Sequence, residues 1–361
     1  MGRHAVRVLA VLAVAALAVG ARELLTVREA PPLYEAGTRR VLRVWLIETW
    51  MGSSEWVLAQ AAAFEQANDG VHVRVRRALA QELTAAEAVL PDVLLFEPGA
   101  IDAPAELLTP VAGETGVRPE IEAAGRYRDV RYAVPVCMGG YLALCNDALF
   151  AGAWTAQDLA AAGERALQIP QDGARCYSAA ALSMGAASQG LLGALPDGAL
   201  AADALACTPE KAYQDFAQGR TAVLVCTQRE TRRMAALREA GKGFAFSALA
   251  PERAYTDLLL LGGVARGAPQ GALGSAFLSQ LVGAPAQAQL AAHGLYPVIA
   301  GDNPFPQATA PLLRAAFEPL RDASLLCANA FSWAEQAPLL SAHAREGLLR
   351  GGAALEDAGF Y

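Results

Sequence analysis

The chain has 361 residues, of which 54% are hydrophobic and 18% charged, and its formal net charge is −7. This hydrophobic content excludes an intrinsically disordered chain, and the acidic balance excludes the basic surface that a nucleic-acid-binding protein needs. At about 150 residues per domain, the length predicts two domains, each large enough to form its own hydrophobic core.

The N-terminal segment has the pattern of a secretory signal peptide. Two arginines precede an apolar run over residues 8–21, which ends in the small residues Gly20 and Ala21. This order is typical of a cleaved export signal, and the run is short for a transmembrane helix, which needs about 20 residues. We predict a signal peptide over residues 1–21, with a retained membrane anchor as the alternative. We therefore expect the protein to work outside the cytoplasm, in the periplasm or at the cell surface.

The next segment, residues 22–38, includes the adjacent prolines Pro31 and Pro32. Proline fixes φ and lacks a backbone N–H, so it favours extended chain over helix or central strand. We predict an extended tether. No later segment of the sequence is apolar and long enough to span a bilayer.

The first part of the predicted globular region alternates strands and helices. Apolar runs predict buried strands at 41–47 and 93–96, and alternating residues predict a half-exposed strand at 71–75. Apolar residues at helical spacing follow Ser53 or Ser54, and either serine can cap that helix. A strand–helix–strand–helix–strand order predicts an α/β sheet with right-handed crossovers.

The later part of the chain predicts further elements of both kinds. The runs that predict strands are 132–136, 141–144, 221–226 and 258–264. The segments that predict helices are those beginning after Thr155 and Thr208, and the ranges 270–282 and 284–292. The sequence contains no internal repeat of fixed period.

The chain has six cysteines, an even number that permits disulfides in an oxidising compartment. Their spacings match neither a zinc site nor a Cys-x-x-Cys redox motif. We predict buried thiols that pack as small hydrophobic groups, with Cys176–Cys207 as the pair if any disulfide forms.

Several short sequence motifs follow one another between residues 40 and 358. They are Val44-Trp45, Ala63-Phe64-Glu65-Gln66-Ala67-Asn68, Gly70-Val71-His72-Val73, Pro91-Asp92-Val93, Tyr132-Ala133-Val134-Pro135, Leu144-Cys145-Asn146-Asp147, Phe216-Ala217-Gln218-Gly219, Gly294-Leu295-Tyr296-Pro297 and Leu349-Arg350-Gly351-Gly352. Together they resemble family 1 extracellular solute-binding proteins, the bacterial ABC-importer receptors that include sugar and maltodextrin binders. The chain departs from that family in lacking its common lipid-attachment cysteine and in having a short stretch between Phe150 and Phe216.

The resemblance implies an α/β protein of the two-lobed periplasmic-binding-protein type II, with a cleft between the lobes. The first lobe would comprise residues 39–138 and 259–300, and the second residues 141–258 and 303–361. Ligands of open α/β sheets bind beyond the carboxyl ends of the strands. Two such edges that face each other form a cleft, and hinge closure buries the ligand.

Two candidate binding groups follow strands of the first lobe. The first strand is followed by Glu48, Thr49 and Trp50, and the third by Glu97. A carboxylate can accept hydrogen bonds from sugar hydroxyls, and an indole can stack on the apolar face of a pyranose. The alternatives are a solvated Glu48 and a Trp50 that covers the core.

The remaining candidates lie at the crossover and in the second lobe. Met138 and Gly139 lie at the crossover, where glycine lets a ligand approach backbone amides, although a simple turn is the alternative. The resemblance implies ligand contacts at Thr227 and Arg229, and a stacking aromatic at Phe331 or Trp333. The alternatives are a surface arginine and plain core packing.

The sequence lacks the motifs of the common enzyme classes. It contains no nucleophile elbow, phosphate-binding loop or dinucleotide fingerprint, and its four histidines are not spaced with cysteines or acids as metal ligands. We therefore predict a protein that is not an enzyme and that needs no cofactor or metal.

The resemblance implies a monomeric receptor that binds a small polar solute, carbohydrate first, and delivers it to the transmembrane subunits of an ABC permease. An anionic or amino-bearing solute is the second choice of ligand. The other hypotheses are a lobe pair that signals to a membrane sensor kinase and an extracytoplasmic hydrolase.

Overall fold

The computed structural model describes residues 40–84, 90–149, 167–172, 175–181, 202–249, 254–322 and 324–349. All of them belong to one unit of the chain, Arg40–Tyr361. The predicted signal peptide, the predicted tether and the helix predicted after Thr155 lie outside the described residues. Among the described helices, none combines the length and the hydropathy that crossing a bilayer requires.

Thirteen strands are described, and every one of five or more residues overlaps a strand predicted from the sequence. They are β1 (Arg40–Ile47), β2 (Val71–Arg77), β3 (Val93–Phe96), β4 (Arg126–Tyr127), β5 (Val130–Arg131), β6 (Val134–Met138), β7 (Tyr141–Asn146), β8 (Leu167–Gln168), β9 (Val223–Thr227), β10 (Phe246–Leu249), β11 (Tyr255–Thr256), β12 (Leu259–Val264) and β13 (Leu326–Cys327).

The described α-helices are α1 (Ser54–Ala67), α2 (Pro104–Leu107), α3 (Pro119–Glu122), α4 (Pro209–Ala217), α5 (Gln228–Glu239), α6 (Gly271–Val282), α7 (Ala284–Gln289), α8 (Pro311–Phe317) and α9 (Trp333–Leu349). A further short helical stretch covers residues 177–181. Short 3-10 turns are Ala80–Thr84, Ala123–Gly125, Ala202–Leu205, Leu290–His293 and Glu318–Arg321. Thr208 caps α4 as predicted, because its side chain accepts a hydrogen bond from the Lys211 backbone N–H.

The first sheet has five strands in the order β2-β1-β3-β12-β6. Strand β1 pairs in parallel with β2 and β3, whereas β12 pairs antiparallel with β3 and β6. Every residue of β3, β6 and β12 is buried, as expected for strands covered on both faces. The predicted α/β sheet is therefore confirmed.

The second sheet has four strands in the order β10-β7-β9-β8. Strand β7 begins three residues after β6 ends, so the chain passes from the first sheet to the second at Gly139 and Gly140. It returns to the first sheet at β12. The lobe boundaries given above stay a prediction.

Helices pack against the first sheet through large apolar side chains. Trp56 and Phe64 of α1 and Phe277 of α6 are almost completely buried. The Phe64 and Phe277 rings meet edge to face, with centroids 5.4 Å apart. Fully burying one side chain of this kind stabilises the fold by about 1.5–3 kcal/mol.

None of the six cysteines forms a disulfide, and all but the half-buried Cys327 are buried. The Cys176–Cys207 pair, named only for the case that a disulfide forms, is not made: the Cys176 Sγ lies 3.5 Å from the Ala337 carbonyl oxygen and the Cys207 Sγ 3.6 Å from that of Ala204. Burial raises the pKa of each of these two thiols. The prediction of buried thiols is confirmed.

Candidate ligand-binding site

Two glutamates lie side by side at the carboxyl edge of the first sheet. In the parallel register of β1 and β3, Ile47 is paired with Phe96, and each is the last residue of its strand. Glu48 and Glu97 come next in the chain, so both carboxylates reach the edge where open α/β sheets bind their ligands.

Glu97 is buried and uses both of its oxygens within the protein. Its Oε1 accepts hydrogen bonds from the backbone N–H groups of Trp50 and Met51, each at 2.7 Å. Its Oε2 lies 2.7 Å from the Nη2 of Arg175, whose side chain is also buried. Glu97 therefore joins the loop after β1 to a distant arginine.

Glu48 is half-buried and uses only one of its oxygens. Its Oε2 accepts hydrogen bonds from Ser53, at 2.8 Å from the backbone nitrogen and 2.6 Å from the hydroxyl. Ser53 occupies the N-cap position of α1 as predicted, but its hydroxyl makes no capping bond and donates to Glu48 instead. The Glu48 Oε1 is buried without a hydrogen-bond partner. Leaving a buried charged oxygen unpaired is costly, so this atom calls for a donor from outside the chain.

Arg175, which the sequence analysis missed, is the positive centre of this region. Its Nη1 donates to the Asp257 carbonyl oxygen at 2.8 Å and lies 4.0 Å from the Asp257 carboxylate. Burial acts to lower the pKa of Arg175, but the negative charges of Asp257 and Glu97 outweigh that effect and the pKa is raised. The guanidinium therefore stays charged.

Asp257 is completely buried and is satisfied by groups from two other parts of the chain. The Tyr141 hydroxyl donates to its Oδ1, and the Cys176 backbone N–H donates to its Oδ2 at 3.1 Å. Burial, and then the Asp257 charge, raise the pKa of Tyr141 well above its usual value. Tyr141 therefore serves as a neutral donor.

Trp50 is half-buried and lies between two arginines. The guanidinium carbons of Arg175 and Arg229 are each 5.8 Å from the centre of its ring, within the outer range of cation–π contact. The Arg229 side chain is exposed, and Thr49, the residue before Trp50, is exposed as well.

Thr227 is buried and caps α5, the helix that carries Arg229. Its Oγ1 accepts a hydrogen bond from the Arg229 backbone N–H at 3.2 Å, and Glu230 completes a capping box. The cap sets the start of the helix and so the position of Arg229.

Met138 and Gly139, at the crossover, are engaged with other parts of the chain. Met138 is buried and exchanges backbone hydrogen bonds with Tyr296. The Gly139 N–H donates to the Leu258 carbonyl oxygen at 2.7 Å. A Cβ on Gly139 would lie 2.4 Å from the Gln228 Oε1, so the glycine makes room for the protein's own glutamine.

The two aromatic candidates near the start of α9 have different neighbours. Trp333 is buried against Gly99, where a Cβ would lie 2.5 Å from the Trp333 Cδ1. Gly99 has φ +76°, which also favours glycine. Phe331 is half-buried and packs against Tyr127 and Tyr132, with ring centroids 6.2 and 5.9 Å away.

The structure thus brings Glu48, Trp50, Glu97 and Arg229 together, whereas the recorded ring contacts of Phe331 are with tyrosines. Sequence reasoning missed Arg175 because its two main partners are 78 and 82 residues away in the chain. A weak signal for Asp257 was available, since an acidic residue directly precedes the predicted strand at 258–264. Within the described part of the chain, no group of three or more His, Cys, Asp or Glu side chains is arranged to hold a metal ion.

No protein-family model matches the sequence, and no curated protein matches it. Solved structures do match. The GacH receptor of Streptomyces glaucescens, solved without ligand and with acarbose, has a TM-score of 0.63 and 16% identity over 89% of this chain and 96% of its own. An ABC substrate-binding protein from Listeria monocytogenes in complex with cycloalternan has a TM-score of 0.59 and 13% identity over 89% and 96%.

A Bordetella ferric binding protein has a TM-score of 0.60 and 17% identity over 89% of this chain and 99% of its own. The chain has the fold of the two-lobed periplasmic binding proteins. The predicted fold class is confirmed, and the resemblance to solute-binding proteins is confirmed as a likeness of fold. An enzyme has a similar fold: thiaminase I from Bacillus thiaminolyticus matches with a TM-score of 0.58 and 14% identity over 84% and 99%.

Proposed function

We propose that this protein is the extracytoplasmic solute-binding receptor of an ABC importer and that it binds a carbohydrate beside Glu48 and Trp50. The observation that carries the proposal is the buried, unpartnered Oε1 of Glu48. A ligand hydroxyl that donates to this oxygen would remove the cost of leaving it unpaired.

The charges around Trp50 favour a neutral ligand. The guanidinium carbon of the exposed Arg229 lies 5.8 Å from the Trp50 ring, and its charge would repel a cationic solute, whereas the charge of Arg175 is balanced by Glu97 and Asp257. The unpaired oxygen of Glu48 would repel an anionic one. A sugar carries no net charge, offers hydroxyl donors to Glu48 and acceptors to the exposed Arg229, and has an apolar face for the indole.

The transport role is supported by the fold and by the predicted export signal over residues 1–21. The Listeria protein of the same fold is an ABC substrate-binding protein, and the Streptomyces protein is a receptor solved with acarbose. Catalysis is the competing role, because thiaminase I shares the fold. The site offers a carboxylate acceptor, an indole and an arginine, and we propose that it binds without turnover.

A thermal-shift screen of residues 22–361 against oligosaccharides, polyamines, organic acids and ferric citrate tests the proposal. We expect an oligosaccharide to stabilise the protein, by about 2.7 kcal/mol at 100 times its dissociation constant. Glu48→Gln should weaken that binding at least about tenfold, the effect of losing a hydrogen bond to a charged group.

Glu239→Gln is the matched control, because Glu239 is an exposed glutamate at the end of α5. It should bind like the wild type. Stabilisation by a polyamine, an organic acid or ferric citrate alone would overturn the carbohydrate assignment, and release of products from the bound sugar would overturn the receptor role. Interaction of the purified protein with a sensor kinase in place of a permease would assign it to signalling.

A further inference from the structure

We propose that Glu97 and Arg175 are positioning residues, which fix the backbone of the Trp50 segment and do not themselves contact the ligand. The inference rests on the proposed function only in taking Trp50 as a ligand contact. It assigns different roles to the two glutamates that the sequence analysis treated alike.

Glu97 uses both of its carboxylate oxygens within the protein. One of its oxygens accepts from the Trp50 and Met51 backbone N–H groups, and the other accepts from Arg175, all at 2.7 Å. Glu97 is only 2% exposed, whereas Glu48 is half-buried and keeps a free oxygen. Three of the about four acceptor positions of the Glu97 carboxylate are therefore occupied within the protein, whereas the Glu48 Oε1 accepts no hydrogen bond from the chain.

A path of hydrogen bonds leads from Trp50 through Glu97 and Arg175 to Asp257. Trp50 is held by Glu97, Glu97 by Arg175, and Arg175 by the Asp257 carbonyl oxygen. Arg175 shortly follows β8, a strand of the four-stranded sheet, whereas Glu97 directly follows β3 of the five-stranded sheet. Asp257 lies two residues before β12 of the five-stranded sheet and accepts a hydrogen bond from Tyr141, the first residue of β7 in the four-stranded sheet. The ion pair therefore links the Trp50 loop to Asp257, a residue that adjoins the first sheet and is bonded to the second.

Water does not easily replace either partner of the Glu97–Arg175 ion pair. Both side chains are buried, and a buried ion pair that loses one partner leaves an uncompensated charge. The guanidinium fork meets two acceptors at once, Glu97 Oε2 and the Asp257 carbonyl oxygen, a geometry that a lysine ammonium does not reproduce.

Hydrogen exchange of the ligand-free protein, followed by mass spectrometry, tests the coupling without any ligand. We expect Arg175→Gln to speed exchange in the peptide that contains Trp50 and Met51 by about tenfold, although Arg175 bonds neither amide. Glu97→Gln should have a similar effect. The Trp50 fluorescence, taken as the difference between each protein and its Trp50→Phe counterpart, should shift to the red in Arg175→Gln and return part-way in Arg175→Lys.

Arg118→Gln is the matched control, since Arg118 is a buried arginine that bonds the Leu320 and Asp322 carbonyl oxygens. It should leave exchange of the Trp50 peptide unchanged. Unchanged exchange in Arg175→Gln, or an equal rise in Arg118→Gln, would overturn the proposal. If Arg175→Gln does not fold, the same hydrogen-exchange measurement is made on Arg175→Lys. Exchange of the Trp50 peptide at the wild-type rate in that variant would overturn the proposal. A failure to bind sugar would overturn the proposed function and leave this result intact.

Discussion

Two regions of the molecule are each built around a buried arginine. They differ in the further hydrogen bonds made by the glutamate that pairs with the arginine. Arg175 pairs with Glu97, and Arg118 pairs with Glu120. Each arginine also donates to backbone carbonyl oxygens far away in the chain. Glu97 in addition holds the backbone N–H groups of Trp50 and Met51.

The difference teaches that a buried arginine is not in itself a sign of a binding site. Arg118 fastens one segment of the chain to another, which is a structural role. The Arg175 region is distinguished by its neighbours: the half-buried Trp50 ring lies beside Arg175, and Glu48, which follows the strand paired with that of Glu97, has an oxygen without a partner. A buried polar atom that lacks a hydrogen-bond partner is an indication of function, because folding alone does not favour such an atom.

The largest expected effect separates the two regions by stability. Arg175→Met should lower the free energy of unfolding by about 3–5 kcal/mol, because it leaves Glu97 buried without a counter-charge. Arg118→Met should cost less, about 1–3 kcal/mol, because the side chain of Glu120 is 18% exposed, against 2% for Glu97. Chemical denaturation measures both values, and equal costs would remove the distinction between the regions.

The next effect separates them by ligand binding. Trp50→Ala should weaken binding of the oligosaccharide found in the screen by about 1–3 kcal/mol, since a stacking ring is lost. Tyr127→Ala is the control, because Tyr127 also lies under an arginine, Arg128, whose guanidinium carbon is 5.2 Å from its ring. Isothermal titration calorimetry should show normal affinity for Tyr127→Ala. Normal affinity for Trp50→Ala would mean that the ligand binds elsewhere.

The smallest effect comes from Asp215, which is itself buried but whose two basic partners, Lys211 and Arg220, are exposed. A hydrogen bond from Lys211, together with Gln168 and the charge of Arg220, lowers the pKa of Asp215. Because the folded pKa is depressed, its contribution to stability is present above the unfolded pKa of about 3.9 and is lost as the pH falls through the folded value.

Asp215→Asn should therefore lower the free energy of unfolding at pH 7 by less than about 1 kcal/mol, since the Lys211 and Arg220 side chains are 63% and 60% exposed. Denaturation curves at pH 7 and pH 3 check the sign. A gap between wild type and variant that widened at pH 3 would contradict the assignment.

Much of the fold was predictable, because its elements follow local patterns. The strand predicted at 93–96 is β3, and the strand predicted at 41–47 lies within β1. Part of the candidate site was predictable as well, since Glu48 and Glu97 follow those strands directly and Trp50 comes two residues after Glu48. The different roles of Glu48 and Glu97 were not predictable, because each is a glutamate that directly follows a buried strand and the sequence does not distinguish them.

By itself, the sequence determined the alternation of strands and helices, the buried character of the cysteines and the sheet edge at which polar side chains collect. Those properties depend on hydrophobic periodicity and on residues a few positions apart. Only the tertiary structure decided that Arg175 bonds both Glu97 and Asp257, because these two contacts join residues 78 and 82 positions apart in the chain. It also decided that Glu48 keeps one oxygen free, because that depends on which donors the folded chain brings within reach.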